Sequence, residues 1–306
     1  SGGASSNGSP FGAQAAQSFT AGDESITADL ADASIVKDSA AVSVSDIAEG
    51  DILQLTFDDE GGAKTVIILS LGGAGGMGGP GGSFGGSSEV TQGDSANTIT
   101  EDGTYSNIGY VSTGDDENAL RIDGATVMLD GITVDKSAGA TSNTENGDFY
   151  GVNAALLATN GATVTIKGAT VTSSAQNGNG VFSYGSGTTV NISDSTITTT
   201  ADNSGGIQTT GGGTTNASSL TVSTAGNSSA AIRSDRGGGT VNVTGGSYTS
   251  SGYNSPAAYS TADITVSDAT LTAENSEALV IEGKNSITLS DCTVTSNMRD
   301  TKGTSS

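Results

Sequence analysis

Histidine is missing from all 306 residues. That removes the commonest general base, the Ser-His-Asp and Cys-His arrangements of nucleophilic catalysis, and every zinc site containing His. Cysteine occurs once, at Cys292, so an intramolecular disulfide is excluded. Basic residues are scarce: ten Lys plus Arg against 33 Asp plus Glu leave a formal net charge of −23 at pH 7. None of the ten is gathered into a stripe, so nucleic acid and anionic membrane surfaces are repelled. No apolar run approaches the roughly 20 residues a membrane helix needs. No basic, hydrophobic leader opens the chain.

What is present is one short phrase written repeatedly. It reads TVTIKGATVT at 163–172, TVNISDSTIT at 189–198, TTNASSLTVS at 214–223, TVNVTGGSYT at 240–249, DITVSDATLT at 263–272 and SITLSDCTVT at 286–295. Successive starts lie 26, 25, 26, 23 and 23 residues apart, and an earlier copy, TVMLDGITVD, occupies 126–135. Two short strands split by a Gly or Asp turn, then a third strand and a polar loop, cannot bury an apolar side alone. Stacked copies can, and this is the signature of a solenoid.

The alternation of apolar and polar residues sets the inward positions. In the first strand these are Val164/Ile166, Val190/Ile192, Thr215/Ala217, Val241/Val243, Ile264/Val266 and Ile287/Leu289. In the second they are Val134, Val171, Ile197, Val222, Tyr248, Leu271 and Val294. A less regular third strand runs through 155–158, 181–184, 207–209, 232–235, 257–260 and 279–282. Three strands per coil of 23 to 26 residues describe an all-β parallel β-helix, each strand pairing with its copy one coil away. A disordered Thr/Gly tract would not keep an apolar column in register over seven coils.

A polar column accompanies the apolar ones. Asn177, Asn203, Asn227, Asn254 and Asn275 follow the second strand and suit left-handed turns, with side-chain amides able to bond along the stack. Cys292 occupies the small-residue position of Ala169, Ser195 and Ala269, which predicts a buried structural thiol.

Before the repeat the texture changes. Residues 1–22 read as a flexible tether. Residues 23–71 read as a small β module, with strands at Ser25–Leu30, Ser34–Val36 and Ala41–Val44. A hairpin of Ile52–Phe57 and Lys64–Leu69 follows. Its acidic turn, Asp58 to Gly62, reads as a solvated tip, with Ca²⁺ binding the alternative. Residues 72–88, GGAGGMGGPGGSFGGSS, read as a Gly-rich linker. The β-helix occupies 89–306, with irregular opening coils over Glu89–Tyr110 and an excursion at Lys136–Asn153. No polar cap follows the last phrase, so the natural chain is expected to continue past Ser306.

Several stretches carry a resemblance: STGDDENALRIDGATV (112–127), SNTENGDFYGVNAALLATNGA (142–162), NGVFSYGSGTTVNISDSTI (179–197), SSAAIRSDRGGGTV (228–241) and SEALVIEGKNSITL (276–289). Over about residues 89–306 the chain resembles adhesin-like, right-handed parallel β-helix proteins from the surface of anaerobic, gut-type Gram-positive bacteria. The resemblance implies an extracellular, secreted or cell-surface location. Similar β-helices of the pectate-lyase-like group bind or cleave acidic polysaccharides. This chain lacks the His that polygalacturonases use and has no matching Arg and paired-Asp set.

The expected function is therefore a non-catalytic adhesin or carbohydrate-binding surface protein. Its partner would be a polysaccharide or a host or bacterial surface glycan. The candidate face comprises Phe149, Tyr150, Phe182, Tyr184, Gln208, Arg233, Asp235, Arg236, Tyr259 and Glu282. There aromatic rings would stack on sugars while Arg, Gln and carboxylates fix hydroxyl groups. The alternatives are a passive stalk, with binding located further along the chain, or a Ca²⁺-dependent polysaccharide lyase or hydrolase. For an enzyme the candidates are Asp115, Asp116, Glu117, Asp123, Glu145 and Asp148 near Arg121, and separately Asp235 with Arg233 and Arg236. Candidate Ca²⁺ ligands are Asp115, Asp116, Glu117 and Asp148. A further alternative, ice binding, rests on a double file of outward hydroxyls: Thr170/Thr172, Thr196/Thr198, Thr221/Ser223, Ser247/Thr249, Thr270/Thr272 and Thr293/Thr295.

Overall fold

The computed structural model describes residues 34–37, 40–43, 52–57, 63–69 and 90–298. The expected tether, the strand at Ser25–Leu30, the acidic hairpin turn, the Gly-rich linker and everything beyond residue 298 lie outside the described residues. The chain divides into two compact units, Ser1–Gly72 and Gly73–Ser306.

In the first unit the strands are Ser34–Lys37, Ala40–Val42, Ile52–Phe57 and Ala63–Leu69. The expected hairpin is present, with Ile52 opposite Leu69 and Leu55 opposite Val66. Ser34–Lys37 pairs parallel to Ala63–Leu69 and antiparallel to Ala40–Val42, giving one four-stranded sheet.

The second unit is a parallel β-solenoid of three eight-stranded sheets. Sheet 1 runs from Gly103–Ser106 to Ser286–Ser290, sheet 2 from Gly109–Ser112 to Thr293–Ser296, and sheet 3 from Thr98–Ile99 to Leu279–Ile281. The segment read as irregular opening coils holds the first three-strand coil, whose last strand runs on to Ser112.

Register follows the alternation without a slip. In sheet 1, Val164 pairs with Val190, Val190 with Thr215, Thr215 with Val241, and Val241 with Ile264. In sheet 2, Val171, Ile197, Val222, Tyr248 and Leu271 stack in the same way. All these side chains are buried. A fully buried Val, Leu or Ile contributes about 1.5–3 kcal/mol, so the columns add to the backbone ladders in holding one coil to the next. In the last described coil Ile287 and Leu289 are only partly buried and Val294 is 40% exposed. Cys292 belongs to that coil and is half-buried rather than enclosed, its thiol donating to the Ser290 carbonyl at 3.2 Å.

The corner between sheets 1 and 2 has a left-handed residue at the same place in every coil: Asn107, Gly131, Gly168, Asp194, Ser219, Gly245 (followed by a second, Gly246), Asp268 and Asp291. Only Gly and small polar residues adopt that conformation cheaply, which is why the phrase keeps its Gly or Asp. The expected Asn column is corrected in part. Asn177, Asn203 and Asn254 do take left-handed turns, but in the coil of Asn227 the role passes to Ser228. The amide-to-amide ladder lies elsewhere, on the outer side of sheet 1: Asn242 donates to Asn216 at 2.9 Å and Asn216 to Asn191 at 2.8 Å.

A second ladder, of hydroxyls, closes the loop from sheet 2 to sheet 3. Thr199, Thr224 and Ser250 donate to the carbonyls of Ser204, Ser229 and Ser255. The Ser229 and Ser255 hydroxyls accept from the backbone N–H of Ser204 and Ser229, one coil below. All six side chains are buried, so each loop's polar groups are satisfied within the solenoid.

Candidate functional site

The expected binding residues on the third strand form one outward-facing column of sheet 3. Leu157, Phe182, Gln208, Arg233, Tyr259 and Val280 stand opposite one another on successive coils. The column is not an open face. Phe182 and Gln208 are fully buried, Tyr259 is 2% exposed and Arg233 is 4% exposed.

The cover over much of it is the excursion between sheets 2 and 3, which contains the helix Thr144–Tyr150. Its boundaries are set locally. Asn143 caps the start, its side chain accepting from Asn146 N–H at 3.2 Å, and Gly151 ends it in the left-handed conformation. Gly147 permits close approach: a Cβ there would lie 2.5 Å from the Cβ of Asn177.

Polar side chains of the sheet grip the backbone of this helix. Gln208 donates to the Asp148 carbonyl at 2.9 Å and Thr210 to the Phe149 carbonyl at 2.6 Å. Asn177 donates to the Thr144 carbonyl and, at 2.9 Å, to the Asp148 carboxylate. Gln92, from the segment preceding the first coil, donates to the Tyr150 carbonyl at 3.0 Å. Apolar packing adds Ala154, Leu157 and Phe182, with Tyr184 at the edge.

At the far end of the contact, on the last coil the helix reaches, sits Arg233. Its Nη1 lies 3.1 Å from Asp148 Oδ1 and its Nη2 3.0 Å from Asp235 Oδ2. Burial alone would depress the guanidinium, but Asp148 and Asp235 outweigh it and hold the group firmly protonated. Asp148 is pushed up to about 6 by burial, which outweighs the attraction of Arg233 and the hydrogen bonds from Arg233 and Asn177. Asp235 is raised for the same reason, with Arg233 and the Arg236 backbone N–H opposing the shift. Beyond them Tyr259 hydrogen-bonds Glu282, and burial raises both.

The expected residues thus separate into two groups. Phe149, Phe182, Gln208, Arg233, Asp235 and Tyr259 are buried, with Glu282 half-buried beside Tyr259. The expectation of an open ligand face is corrected for these, because the excursion and neighbouring coils already contact them. Tyr150 and Tyr184 are half-buried and meet edge to face at 5.7 Å, while exposed Arg236 lies over the Phe149 ring at 4.2 Å. These three form an accessible rim.

The expected Ca²⁺ set is not brought together. Asp148 is engaged by Arg233 and Asn177 instead. Asp115 accepts from Ala140 N–H, Asp116 from Ser142 N–H, and Glu117 from the Ser112 hydroxyl. The cation beside them is Lys136, fully buried and donating to Ser112 Oγ at 3.1 Å and the Gly114 carbonyl at 2.5 Å. Burial lowers its pKa, with Glu117, Asp115 and Asp116 opposing. Among the described residues no group of three or more His, Cys, Asp or Glu side chains is placed to hold a metal ion. Arg121, the basic candidate of the enzymatic alternative, donates to the carbonyls of Gln92, Gly93 and Asp94 and to Asn118. Asp123 accepts from Asn160, and Glu145 is exposed on the helix.

Lys136, Asn118, Asn153 and Gln92 were not marked by the sequence reading. Lys136 carried a usable signal, since it lies two residues after the inward Val134 and so shares its parity.

The hydroxyl double file on sheet 2 is in register. Thr170, Thr196, Thr221, Ser247, Thr270 and Thr293 form one exposed file, with the second two residues along each strand. No helix among the described residues is long and apolar enough to cross a membrane. In comparisons with known proteins no family model matches the chain, and neither a curated protein nor a solved structure matches it.

Proposed function

We propose that this chain is a non-catalytic, extracellular β-solenoid of the cell surface, working as a rigid acidic shaft that spaces a binding region from its anchor. One observation carries the reading. The side chains best suited to hold a ligand on sheet 3 are enclosed by the chain itself, with Arg233 shared between Asp148 and Asp235. The extracellular location rests on the resemblance in sequence. A net charge of −23 fits a surface that stays solvated and does not adhere to other acidic polymers.

The second reading, a glycan adhesin, is favoured by the accessible rim of Tyr150, Tyr184 and Arg236. Two tyrosine rings at right angles beside a guanidinium offer a stacking surface and hydrogen-bond donors for a sugar. A glycan array with the whole chain, run with Ca²⁺ and with chelator, separates the two. The shaft reading expects no ligand in either condition. Binding lost in Tyr184→Ala and Arg236→Ala would replace it with the adhesin reading.

A further inference from the structure

We infer that the helix Thr144–Tyr150 is an acid-tightened clamp: its docking across sheet 3 strengthens as a proton enters the buried carboxyl pair Asp148 and Asp235 that shares the guanidinium of Arg233.

The geometry of a clamp is explicit. The helix leaves the chain after the sheet 2 strand Thr133–Lys136 and returns to it before the sheet 3 strand Leu156–Thr159. It is held by Gln208 and Thr210 from the strand Ile207–Thr210, and by Arg233 from the strand Ile232–Ser234. Those strands are the second and third coils beyond its own return point, so one helix ties together coils otherwise joined only to their immediate neighbours. In a solenoid each coil touches mainly the next, and a tie across several coils resists local opening between them.

Charge supplies the proton sensitivity. The groups facing Asp148 are Arg233 from the sheet, Asp235 from the turn after it, and neutral Asn177 from the preceding coil, while Arg236 lies over the neighbouring Phe149 ring and acts on Asp235. Tyr259 and Glu282 follow one and two coils further on, adding a carboxyl near Asp235. Glu145 on the helix itself points to solvent. Two enclosed carboxylates therefore face one enclosed guanidinium, and Arg236 is exposed. Docking also leaves Asn177 Oδ1 and Gln208 Oε1 buried without partners, so the interface is not fully satisfied.

The sign follows from linkage. Asp148 lies at about 6 when docked, above its ordinary 3.8, so the docked state binds the proton more tightly than the undocked state. The stabilisation is fully present below 3.8 and is lost as pH rises through 6. Asp235 is raised as well and acts in the same direction. For Asp148 alone the docking equilibrium changes about tenfold between pH 7.5 and pH 5.

Hydrogen exchange of the amides of residues 146–152, expressed as protection factors so that the intrinsic pH dependence is removed, tests this directly. In the wild-type chain protection should rise at least about tenfold from pH 7.5 to pH 5, the part Asp148 supplies alone. Asp148→Asn should reduce the rise to the smaller part that Asp235 supplies, and Glu145→Gln, an exposed carboxyl on the same helix, should leave the wild-type rise unchanged. Wild-type protection that is constant or falls on acidification would overturn the clamp, even if Asp148→Asn does not fold. So would an Asp148→Asn profile that still rises like the wild type.

Discussion

Arg233 and Asp148 lie 85 residues apart in the chain and meet as a buried ion pair at 3.1 Å, joining a one-off helix to the outer side of sheet 3. The pair changes the meaning of the surrounding residues. An outward-facing column that alternation marks as surface becomes an interior, because a segment inserted between two coils folds back over it.

Removing Arg233 should be costly. Arg233→Ala leaves Asp148 and Asp235 enclosed without their cation, and breaking a buried pair in this way costs about 3–5 kcal/mol. Denaturant unfolding should show that loss at pH 7.5 and a smaller one at pH 5, where Asp148 is largely protonated. An equal loss at both pH values would contradict the assignment of the proton.

Tyr248 offers the opposite test. It is fully buried in the sheet 2 core column and its hydroxyl has no hydrogen-bond partner, so burial pushes the phenol up. Tyr248→Phe removes an unsatisfied polar atom at nearly constant shape and should stabilise the solenoid by about 1 kcal/mol. A lower melting temperature would show that the hydroxyl is satisfied in solution.

Gly147 should reverse the usual helix rule. In an isolated helix Gly→Ala gains about 1 kcal/mol. Here the added methyl meets Asn177, with three atoms of that side chain within 2.6 Å of the built Cβ. Gly147→Ala should therefore weaken docking by about 1–3 kcal/mol. Faster exchange at residues 146–152 would register it, and slower exchange would count against the docked geometry.

Ser229 tests the hydroxyl ladder. Its side chain accepts from Ser204 N–H and shares its one hydroxyl proton between the Asn227 and Ala201 carbonyls, at 3.0 and 3.2 Å, inside the solenoid. Ser229→Ala leaves a buried N–H unpaired and should cost about 1–3 kcal/mol. The exposed Ser223→Ala, on sheet 2, should change stability by less than about 0.5 kcal/mol. Similar effects at the two positions would remove the ladder's structural role.

The fold was legible because its information is repeated. Val171, Ile197, Val222 and Leu271 each restate the same inward position, and Gly168, Asp194 and Asp268 restate the same left-handed corner. The excursion is not repeated. Nothing around Asp148 or Phe149 recurs in another coil, and their partners Gln208, Thr210 and Arg233 lie 60 to 85 residues away. Alternation places Phe182 and Gln208 outward correctly, yet it carries no information about what covers that side. Asn177 shows the same limit: its backbone turn was readable from residue type, whereas its side chain serves the helix rather than a ladder.

The most direct measurement is the accessibility of the sheet 3 outer column to a thiol reagent, in a Cys292→Ser background. Gln208→Cys should be modified no faster than Ala231→Cys, which lies in the core, and far more slowly than Thr196→Cys on the exposed file. If Gln208→Cys reacted as fast as Thr196→Cys, the outer face would be open in solution, and the shaft account would give way to a binding face.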